Sequence, residues 1–327
     1  MIKNFLKTHP MHKQIAGSLD LFFLVMPTSY FIVWVLLAIG MYVPMQANES
    51  ILMFITSYSL KTVVLFISVS LLVSSILITK QKNEQSIEEN VYKKINNPVL
   101  INKIKVLFFV LSLILLCIVH VSLILCGVIM YYIGEFLYSR KYSTNDWYPF
   151  LRIICITILT LSIICAGYLH QINNNLTGDV TFSIFSIFFI CLPYIFIMIS
   201  ISIMKDISDY HEDENIIVLS NVFNKKIVSL ISLFLLSIAL YISVIINDPL
   251  SSTSIIVFYT FFIYSLIRGF KKDYIRSINY TVGILNFFIV TIYPYLFIFV
   301  FICFYISKYY YWHRFDVHYP TFLVDND

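Results

Sequence analysis

Charged residues and glycine are scarce in this 327-residue sequence. Asp, Glu, Lys and Arg make up 12% of the residues and there are only 8 glycines, whereas hydrophobic residues make up 59%. The apolar share of a water-soluble globular protein is nearer ~45–50%. The composition therefore excludes a soluble globular protein and predicts a polytopic membrane protein.

Several motifs of known chemistry are also absent. The chain has no glycine-rich phosphate loop, no HExxH zinc motif, no nucleophile elbow and no inverted repeat of the transporter type. Its six cysteines all lie within apolar runs and form no CxxC pair, so neither a disulfide nor a zinc site is expected. The net charge is +4, but no soluble segment gathers the basic residues, so no nucleic-acid partner is expected.

Apolar runs predict nine transmembrane helices in a single membrane domain spanning residues 1–327. The run 106–138 is too long for one span, because its 33 residues at 1.5 Å each give about 50 Å of helix against a hydrocarbon core of ~30 Å. A tight turn near His120 is therefore expected to divide it. The first apolar run exceeds the ~7–15 residues of a signal peptide and is read as a retained helix. The predicted helices are 19–43, 51–79, 106–120, 121–138, 150–169, 180–204, 227–246, 254–267 and 282–307.

The distribution of Lys and Arg predicts how these helices are oriented, because cytoplasmic loops collect basic residues. With the N-terminus in the cytoplasm, 19 of the 22 basic residues fall in cytoplasmic segments, and Lys61, Lys308 and Arg314 do not. The C-terminus is then outside, with the aromatic cluster of Tyr309, Tyr310, Tyr311 and Trp312 at the outer interface of the membrane.

Two long polar loops, 80–105 and 205–226, share the predicted cytoplasmic face, and each contains acidic residues. They are the second-to-third and the sixth-to-seventh helix connections. We expect them to cap a central cavity of an integral, multi-pass protein of the bacterial inner membrane.

The stretch 205–214 is the most acidic part of the chain, with five carboxylates in ten residues directly after an apolar run. If the helix continues for a turn or two, Asp206, Asp209 and Asp213 stand at positions i, i+3 and i+7 and share one face. Like charges this close repel one another, and a bound cation relieves the repulsion. Mg²⁺ is the usual candidate where a phosphate supplies part of its oxygen shell. The alternative interpretation is a solvated acidic loop, because charge runs are usually solvated.

Two stretches resemble motifs of the UbiA-type intramembrane prenyltransferases. From Lys205 to Asp213 the sequence reads K-D-I-S-D-Y-H-E-D. This resembles the family's second aspartate-rich motif, K-D-x-x-D-x-x-x-D, at the cytoplasmic end of the sixth of nine helices. Residues 92 to 98 resemble the D-x-I-N-K-P stretch that ends the family's first motif, N-x-x-x-D-x-x-x-D. That alignment places Gln85 at the Asn, Glu89 at the first Asp and Lys93 at the second.

Other positions extend or limit the resemblance. Tyr138 and Ser139 are similar to the Tyr-Ser pair that ends the family's fourth helix, so Tyr138 joins Gln85 as a further candidate site residue. Glu212 stands where the second motif has a Gly, and the family's Gly-x-x-Thr-Leu-Pro tail and the Arg-Pro after its first motif are absent. Of the acids of the first motif only Glu89 remains, so the second motif is the specific part of the match.

The resemblance implies an all-α enzyme that uses Mg²⁺ to transfer an isoprenoid chain from a prenyl diphosphate to a small lipophilic or aromatic acceptor in the membrane lipid. The implied metal ligands are Asp206, Asp209, Asp213 and Glu89, and Asp209 and Asp213 are the implied catalytic residues, since the metal neutralises the departing diphosphate. The candidate ligands of the diphosphate are the basic residues near the two motifs: Lys93, Lys94, Lys141, Arg152 and Lys205.

Two alternatives stay open. A terpene cyclase of the same fold uses the same acids but releases diphosphate without an acceptor. A non-catalytic membrane binding or transport protein descended from the enzyme is the other alternative, and Lys93 favours it because an ammonium group cannot ligate Mg²⁺. In an enzyme, Lys93 contacts the diphosphate itself or marks only the cytoplasmic face.

Overall fold

The computed structural model of the chain describes residues 14–15, 17–25, 27–47, 59–83, 91–95, 97–139, 147–175, 184–209, 219 and 223–315. Helices dominate these residues, and none of them lies in a strand. Ten helices have 17 or more residues: α1 (Tyr30–Ala47), α2 (Leu60–Asn83), α3 (Pro98–Val119), α4 (Leu123–Ser139), α5 (Tyr148–Asn175), α6 (Ile184–Asp209), α7 (Lys225–Ile245), α8 (Pro249–Arg268), α9 (Lys271–Ile292) and α10 (Leu296–Phe315). Three shorter elements are the helices Asp20–Phe23 and Val91–Ile95 and the 3₁₀ turn Pro27–Ser29.

Six of the ten helices, α2, α3 and α5 to α8, are long and apolar enough to cross a membrane. Apolar segments of α1 and α4 are shorter, at Tyr30–Pro44 and Leu123–Ser139. The prediction of an all-α, multi-pass membrane protein is therefore confirmed. Its count of nine helices is not, because the described residues contain ten.

Short turns join several consecutive helices into antiparallel hairpins. His120 follows the last residue of α3 in an extended conformation, and only two residues separate it from α4, as the predicted turn requires. Asp248 caps α8 by accepting a hydrogen bond from the Leu250 N–H at 3.1 Å. Gly269 adopts a left-handed conformation, with φ of 71°, and closes α8 just before α9. Successive helices therefore run in alternating directions.

Two of the few glycines allow α1 and α5 to cross at very short distance. A Cβ atom on Gly40 would lie 2.0 Å from the backbone oxygen of Ile164, and one on Gly167 would lie 2.1 Å from that of Leu37. No side chain fits in that space, so only glycine is compatible with both positions. Close backbone approach at small residues is a common means of helix association in membranes.

The predicted last helix, 282–307, is wrong, because the structure has two helices in this part of the chain. α9 ends at Ile292, and a turn precedes α10. Pro294 lies in this turn and has no N–H group to donate to a continuing helix. The N–H of Leu296 instead bonds to the carbonyl of Tyr293 at 3.0 Å, which closes the turn.

α9 also begins earlier than the hydropathy of the sequence suggests. Its first part carries Asp273, Ser277 and Thr281 at four-residue spacing, and all three are buried. The hydroxyl of Ser265 on α8 donates to the Asp273 carbonyl at 2.9 Å and lies in hydrogen-bonding contact with the Ser277 hydroxyl. The polar side of α9 thus faces α8 inside the bundle, and not water.

The first predicted helix, 19–43, is divided as well. The main helix α1 begins at Tyr30, after the short helix Asp20–Phe23 and the turn Pro27–Ser29. Proline lacks the N–H group that a continuous helix requires, so a break before α1 is expected once Pro27 is considered. Of the second predicted helix, residues 51 to 58 lie outside the described residues.

Among the described residues, the N-terminal segment and the end of α10 lie at the same end of the bundle, whereas the sequence analysis expected the chain to end on opposite faces. α10 runs antiparallel to α1, since the rings of Phe299 and Trp34 are 6.3 Å apart and Arg314 bonds to Asp20 at 2.6 Å. The turn between α9 and α10 adds one crossing of the bundle and causes this reversal. The aromatic cluster 309–312 therefore lies beside the N-terminal segment, and not at the opposite end.

Basic residues gather at one end of the bundle, which we call the charged face. It is the end where α2, α4, α6, α8 and α10 finish and the odd-numbered helices begin. Among the Lys and Arg residues of the ten helices, only Lys61 lies in the half of its helix away from this face. Lys308 and Arg314, which the sequence reading placed on the other side, belong to the charged face.

Candidate functional site

The C-terminal end of α6 carries the first two carboxylates of the acidic stretch. Asp206 lies inside the helix, and Asp209, one turn later, is its last residue. The Asp206 side chain is buried, with an exposed fraction of 2%, whereas Lys205 is exposed. Asp213 lies outside the described residues. The structure therefore brings Asp206 and Asp209 to the charged face at helical spacing.

Asp206 is paired with Arg152 of α5. The Nη1 atom of the guanidinium lies 2.5 Å from Oδ1 of the carboxylate, and the Arg152 side chain is 17% exposed. Arg152 is one of the predicted ligands of a diphosphate, and the structure shows that it also neutralises Asp206. A buried carboxylate needs such a partner, because an unpaired charge away from water is very costly.

Tyr148 is a residue of this site that sequence reasoning missed. It lies one helical turn before Arg152 on α5 and is buried. Its hydroxyl donates to the Leu137 carbonyl of α4 at 2.9 Å, which ties the start of α5 to the end of α4. The four-residue spacing between Tyr148 and Arg152 was the signal available in the sequence.

The end of α2 meets the end of α4 at Tyr138. The Asn83 side-chain amide donates to the Tyr138 carbonyl at 2.8 Å, and the Lys80 ammonium lies 5.7 Å from the centre of the Tyr138 ring. The ends of α2, α4, α5 and α6 are thus linked by Asn83, Tyr138, Tyr148 and the Arg152 ion pair. Of the predicted site residues, Tyr138, Arg152 and Asp206 therefore lie at one face of the bundle.

The first motif is only partly described. The helix Val91–Ile95 carries positions 93 and 94, which are both lysines, at the charged face. Gln85, Glu89 and Lys141 lie outside the described residues, as do most residues of the 205–226 loop, so the predicted loop cap does too. Residues 98 to 105, read as part of the first loop, belong to α3.

A metal site is not complete within the described part of the chain. No three His, Cys, Asp or Glu side chains come together there. Asp206 and Asp209 are both carboxylate residues, and carboxylate oxygens are the hard ligands that Mg²⁺ prefers. The donor set at the end of α6 thus fits Mg²⁺ in chemical kind.

A second cluster at the charged face centres on Asp273, which sequence reasoning also missed. This buried carboxylate of α9 lies 3.1 Å from Nε of Arg268 and 3.6 Å from Nη1 of Arg276. The side chains of the two arginines are 42% and 31% exposed, so their outer edges reach water. A single acid among several basic residues was the available signal.

An apolar cavity of about 220 Å³ lies elsewhere, between α1, α2 and α10. Phe66 and Phe299 are among its lining residues. Its polar groups are already paired within its wall, since Trp34 donates to the Ser70 hydroxyl at 2.8 Å and the Tyr30 hydroxyl bonds to Ser74. The lining residues come from none of the helices that carry Asp206 and Arg152, so this cavity is separate from the ion pair.

The chain is similar to known proteins in structure and not in sequence. No protein-family profile and no curated protein sequence matches the chain. A structure of digeranylgeranylglyceryl phosphate synthase in membranes matches with a TM-score of 0.58 and 16% identity, covering 86% of this chain and 97% of that one.

Two UbiA homologues also match. The one from Aeropyrum pernix K1, in its apo form, has a TM-score of 0.55 and 9% identity, with 79% of this chain and 95% of that chain covered. The one from Archaeoglobus fulgidus, bound to DMAPP and Mg²⁺, has a TM-score of 0.52 and 15% identity, with 84% and 98% covered. Almost the whole of each neighbour is therefore matched. The chain has the fold of the UbiA-type intramembrane prenyltransferases.

Proposed function

We propose that the protein transfers an isoprenoid chain from a prenyl diphosphate to a small lipophilic or aromatic acceptor in the membrane, with Mg²⁺ as cofactor. The observation that carries this function is the end of α6 at the charged face, where Asp206 is paired with Arg152 and Asp209 is the last residue of the helix. One solved structure of the same fold is bound to DMAPP and Mg²⁺, and another of that protein to GPP and Mg²⁺. The sequence K-D-x-x-D-x-x-x-D from Lys205 to Asp213 supports the same chemistry.

Asp206, Asp209 and Asp213 would hold the metal in this mechanism, and Glu89 would contribute from the first loop. When bound, Mg²⁺ neutralises the negative charge that develops on the departing diphosphate. Asp206 has a second role besides that of a proposed metal ligand, because its ion pair with Arg152 fixes the end of α6 against α5. Lys205 is exposed at the same helix end, and we assign it to the diphosphate as well.

The remaining basic candidates supply positive charge around the diphosphate oxygens. Lys93 and Lys94 stand on the Val91–Ile95 helix at the charged face, and we assign them this role together with Lys141. Charged ligands of this kind orient the leaving group and lower the cost of its developing charge.

The surroundings of Asp206 keep water from the bundle side of the site. Ile203 and Ile207, which flank Asp206 on α6, are both fully buried. An allylic carbon that becomes cationic when the diphosphate leaves is quenched by any water within reach. The buried apolar residues of α6 therefore favour transfer to an acceptor over hydrolysis.

The charged face is the cytoplasmic face in this account. Its excess of Lys and Arg is the pattern that cytoplasmic segments of membrane proteins show. The N-terminal segment and the end of α10 then both lie on the cytoplasmic side, in what we take to be a bacterial inner membrane.

Diphosphate release tests the function directly. The protein in lipid nanodiscs is given geranyl, farnesyl or geranylgeranyl diphosphate, with Mg²⁺ or with EDTA, and with or without an aromatic or a glycerol-phosphate ether acceptor. We expect release that requires both Mg²⁺ and an acceptor, together with a prenylated product. Release without acceptor and with a cyclic hydrocarbon product would identify a terpene cyclase. Binding without release under every condition would identify a non-catalytic binding protein, the outcome that Lys93 favours.

A further inference from the structure

The two ends of the described chain are joined at the charged face through Asp20. Tyr310 donates its hydroxyl to Oδ1 of Asp20 at 2.6 Å, and Arg314 donates from Nε to Oδ1 at 3.0 Å and from Nη2 to Oδ2 at 2.6 Å. The Arg314 pairing is bidentate, which is the strongest geometry for a guanidinium and a carboxylate. We call Asp20, Tyr310 and Arg314 the terminal clasp.

An apolar cluster lies directly against the terminal clasp. The rings of Phe23 and Tyr310 are stacked, with centres 3.7 Å apart and planes within 1° of parallel. Phe23, Tyr310 and Val91 are each fully buried and form a hydrophobic cluster of their own, against which Ile95 also packs. The clasp therefore holds the N-terminal segment, α10 and the Val91–Ile95 helix together.

The Val91–Ile95 helix depends on this packing for its position. A helix of five residues is far below the ~12–15 residues at which an isolated helix becomes even marginally stable in water. Its two apolar ends, Val91 and Ile95, both contact the cluster that contains Phe23 and Tyr310. Loss of the clasp removes the surface on which these two residues rest.

We propose that Asp20, Tyr310 and Arg314 are positioning residues that hold the Val91–Ile95 helix, and with it Lys93 and Lys94, where the prenyl diphosphate binds. This inference rests on the proposed function, because it assigns the clasp to the diphosphate site. None of the three clasp residues touches the substrate in this account. They act through the placement of the short helix.

The test compares Arg314→Ala with a matched ion-pair variant, Lys105→Ala. The Lys105 ammonium lies 2.7 Å from Glu135, and both side chains are 20% exposed, against 26% for Arg314 and 11% for Asp20. The control pair joins α3 to α4, so its loss removes an ion pair of similar burial without touching the clasp.

Three measurements are made on each variant in nanodiscs. They are the KM and kcat for prenyl diphosphate, the Kd of a non-reacting geranyl thiolodiphosphate by calorimetry, and the labelling rate of a single cysteine introduced at half-buried Tyr92. We expect Arg314→Ala to raise KM and Kd at least ~3-fold, with a smaller change in kcat, and to speed labelling at position 92. Lys105→Ala should leave all three near the wild-type values.

Two further variants make the result independent of one mutant's folding. Tyr310→Phe keeps the ring stack on Phe23 and removes one hydrogen bond, so it should change KM in the same direction but less. Arg314→Lys keeps the charge and should recover part of the affinity. Normal KM, Kd and labelling in both Arg314→Ala and Tyr310→Phe would overturn the inference, as would an equal KM change in Lys105→Ala. If the wild-type protein does not bind the thiolodiphosphate, the proposed function itself fails, and with it the role of the clasp.

Discussion

Removing one partner of the ion pair between Arg152 and Asp206 should strongly destabilise the bundle. The two side chains are 17% and 2% exposed, and their charged atoms are 2.5 Å apart. Arg152→Met leaves the Asp206 carboxylate buried without its cation. Breaking a buried pair from one side costs about 3–5 kcal/mol. With an unfolding entropy of about 2.1 cal/mol/K per residue, 1 kcal/mol shifts the Tm of a chain of this length by about 1.5 °C, so the Tm should fall by about 4–7 °C.

A double variant distinguishes the cost of leaving one buried charge unpaired from the cost of losing the whole ion pair. Arg152→Met combined with Asp206→Asn removes both charges, and replacement of a whole buried pair is often close to neutral. The double variant should therefore recover most of the Tm lost in Arg152→Met. Asp206→Asn alone should cost less than Arg152→Met, because the partly exposed guanidinium of Arg152 can reach water.

Thermal unfolding in detergent, followed by circular dichroism for the wild type, both single variants and the double variant, measures this coupling. Glu135→Gln serves as the control, since its pair with Lys105 is more exposed and should be worth about 1 kcal/mol or less. A Tm of Arg152→Met within 1 °C of wild type would refute the reasoning, because so small a loss is what an exposed ion pair of ~1 kcal/mol or less would give. So would a double variant whose loss equals the sum of the two single losses.

Three further predictions concern the bundle, its orientation and the first motif. Gly40→Ala should lower the Tm strongly, because its Cβ would lie 2.0 Å from a backbone oxygen of α5. Gly283→Ala, whose Cβ would have nothing within 4 Å, should be neutral or slightly stabilising. Equal Tm values for the two variants would contradict the close helix crossing. In a cysteine-free background, a cysteine at Lys308 should react with an impermeant maleimide only from the cytoplasmic side and one at Asn174 only from outside; labelling of position 308 from outside would contradict the placement of α10. Lys93→Ala should raise the KM for prenyl diphosphate in titrations at several Mg²⁺ concentrations, and curves that superimpose on wild type would remove Lys93 from the site.

Long apolar runs predicted most of the helices, because a membrane span needs about 20 apolar residues and leaves a strong signal. The same signal failed at α9. Asp273 and Ser277 are polar but buried against α8, where Ser265 satisfies part of their hydrogen bonding. Hydropathy alone assigns such residues to a loop, because the sequence does not show which helix will pair with their polar groups. The error then merged α9 with α10 and reversed the side on which α10 ends.

The site was predictable to the extent that its residues are close in sequence. Asp206 and Asp209 are three residues apart, so their shared helix end follows from spacing alone. The pairing of Asp206 with Arg152 and that of Asp20 with Arg314 join residues far apart in the chain, and no local pattern encodes them. Such contacts are set by which helices become neighbours, and this depends on packing features such as the glycines between α1 and α5.

Diphosphate release by Asp209→Asn and Asp213→Asn is the most direct test of the central claim, that the end of α6 and its following loop form a Mg²⁺-dependent prenyl-transfer site. Asparagine keeps the size of the side chain but removes the charge that holds the metal, so each variant should lose at least ~100-fold in kcat/KM. Asp325→Asn, far from the motif in sequence, serves as the control and should retain wild-type turnover. Wild-type turnover in both Asp209→Asn and Asp213→Asn would contradict the account and reduce the acidic stretch to a solvated loop.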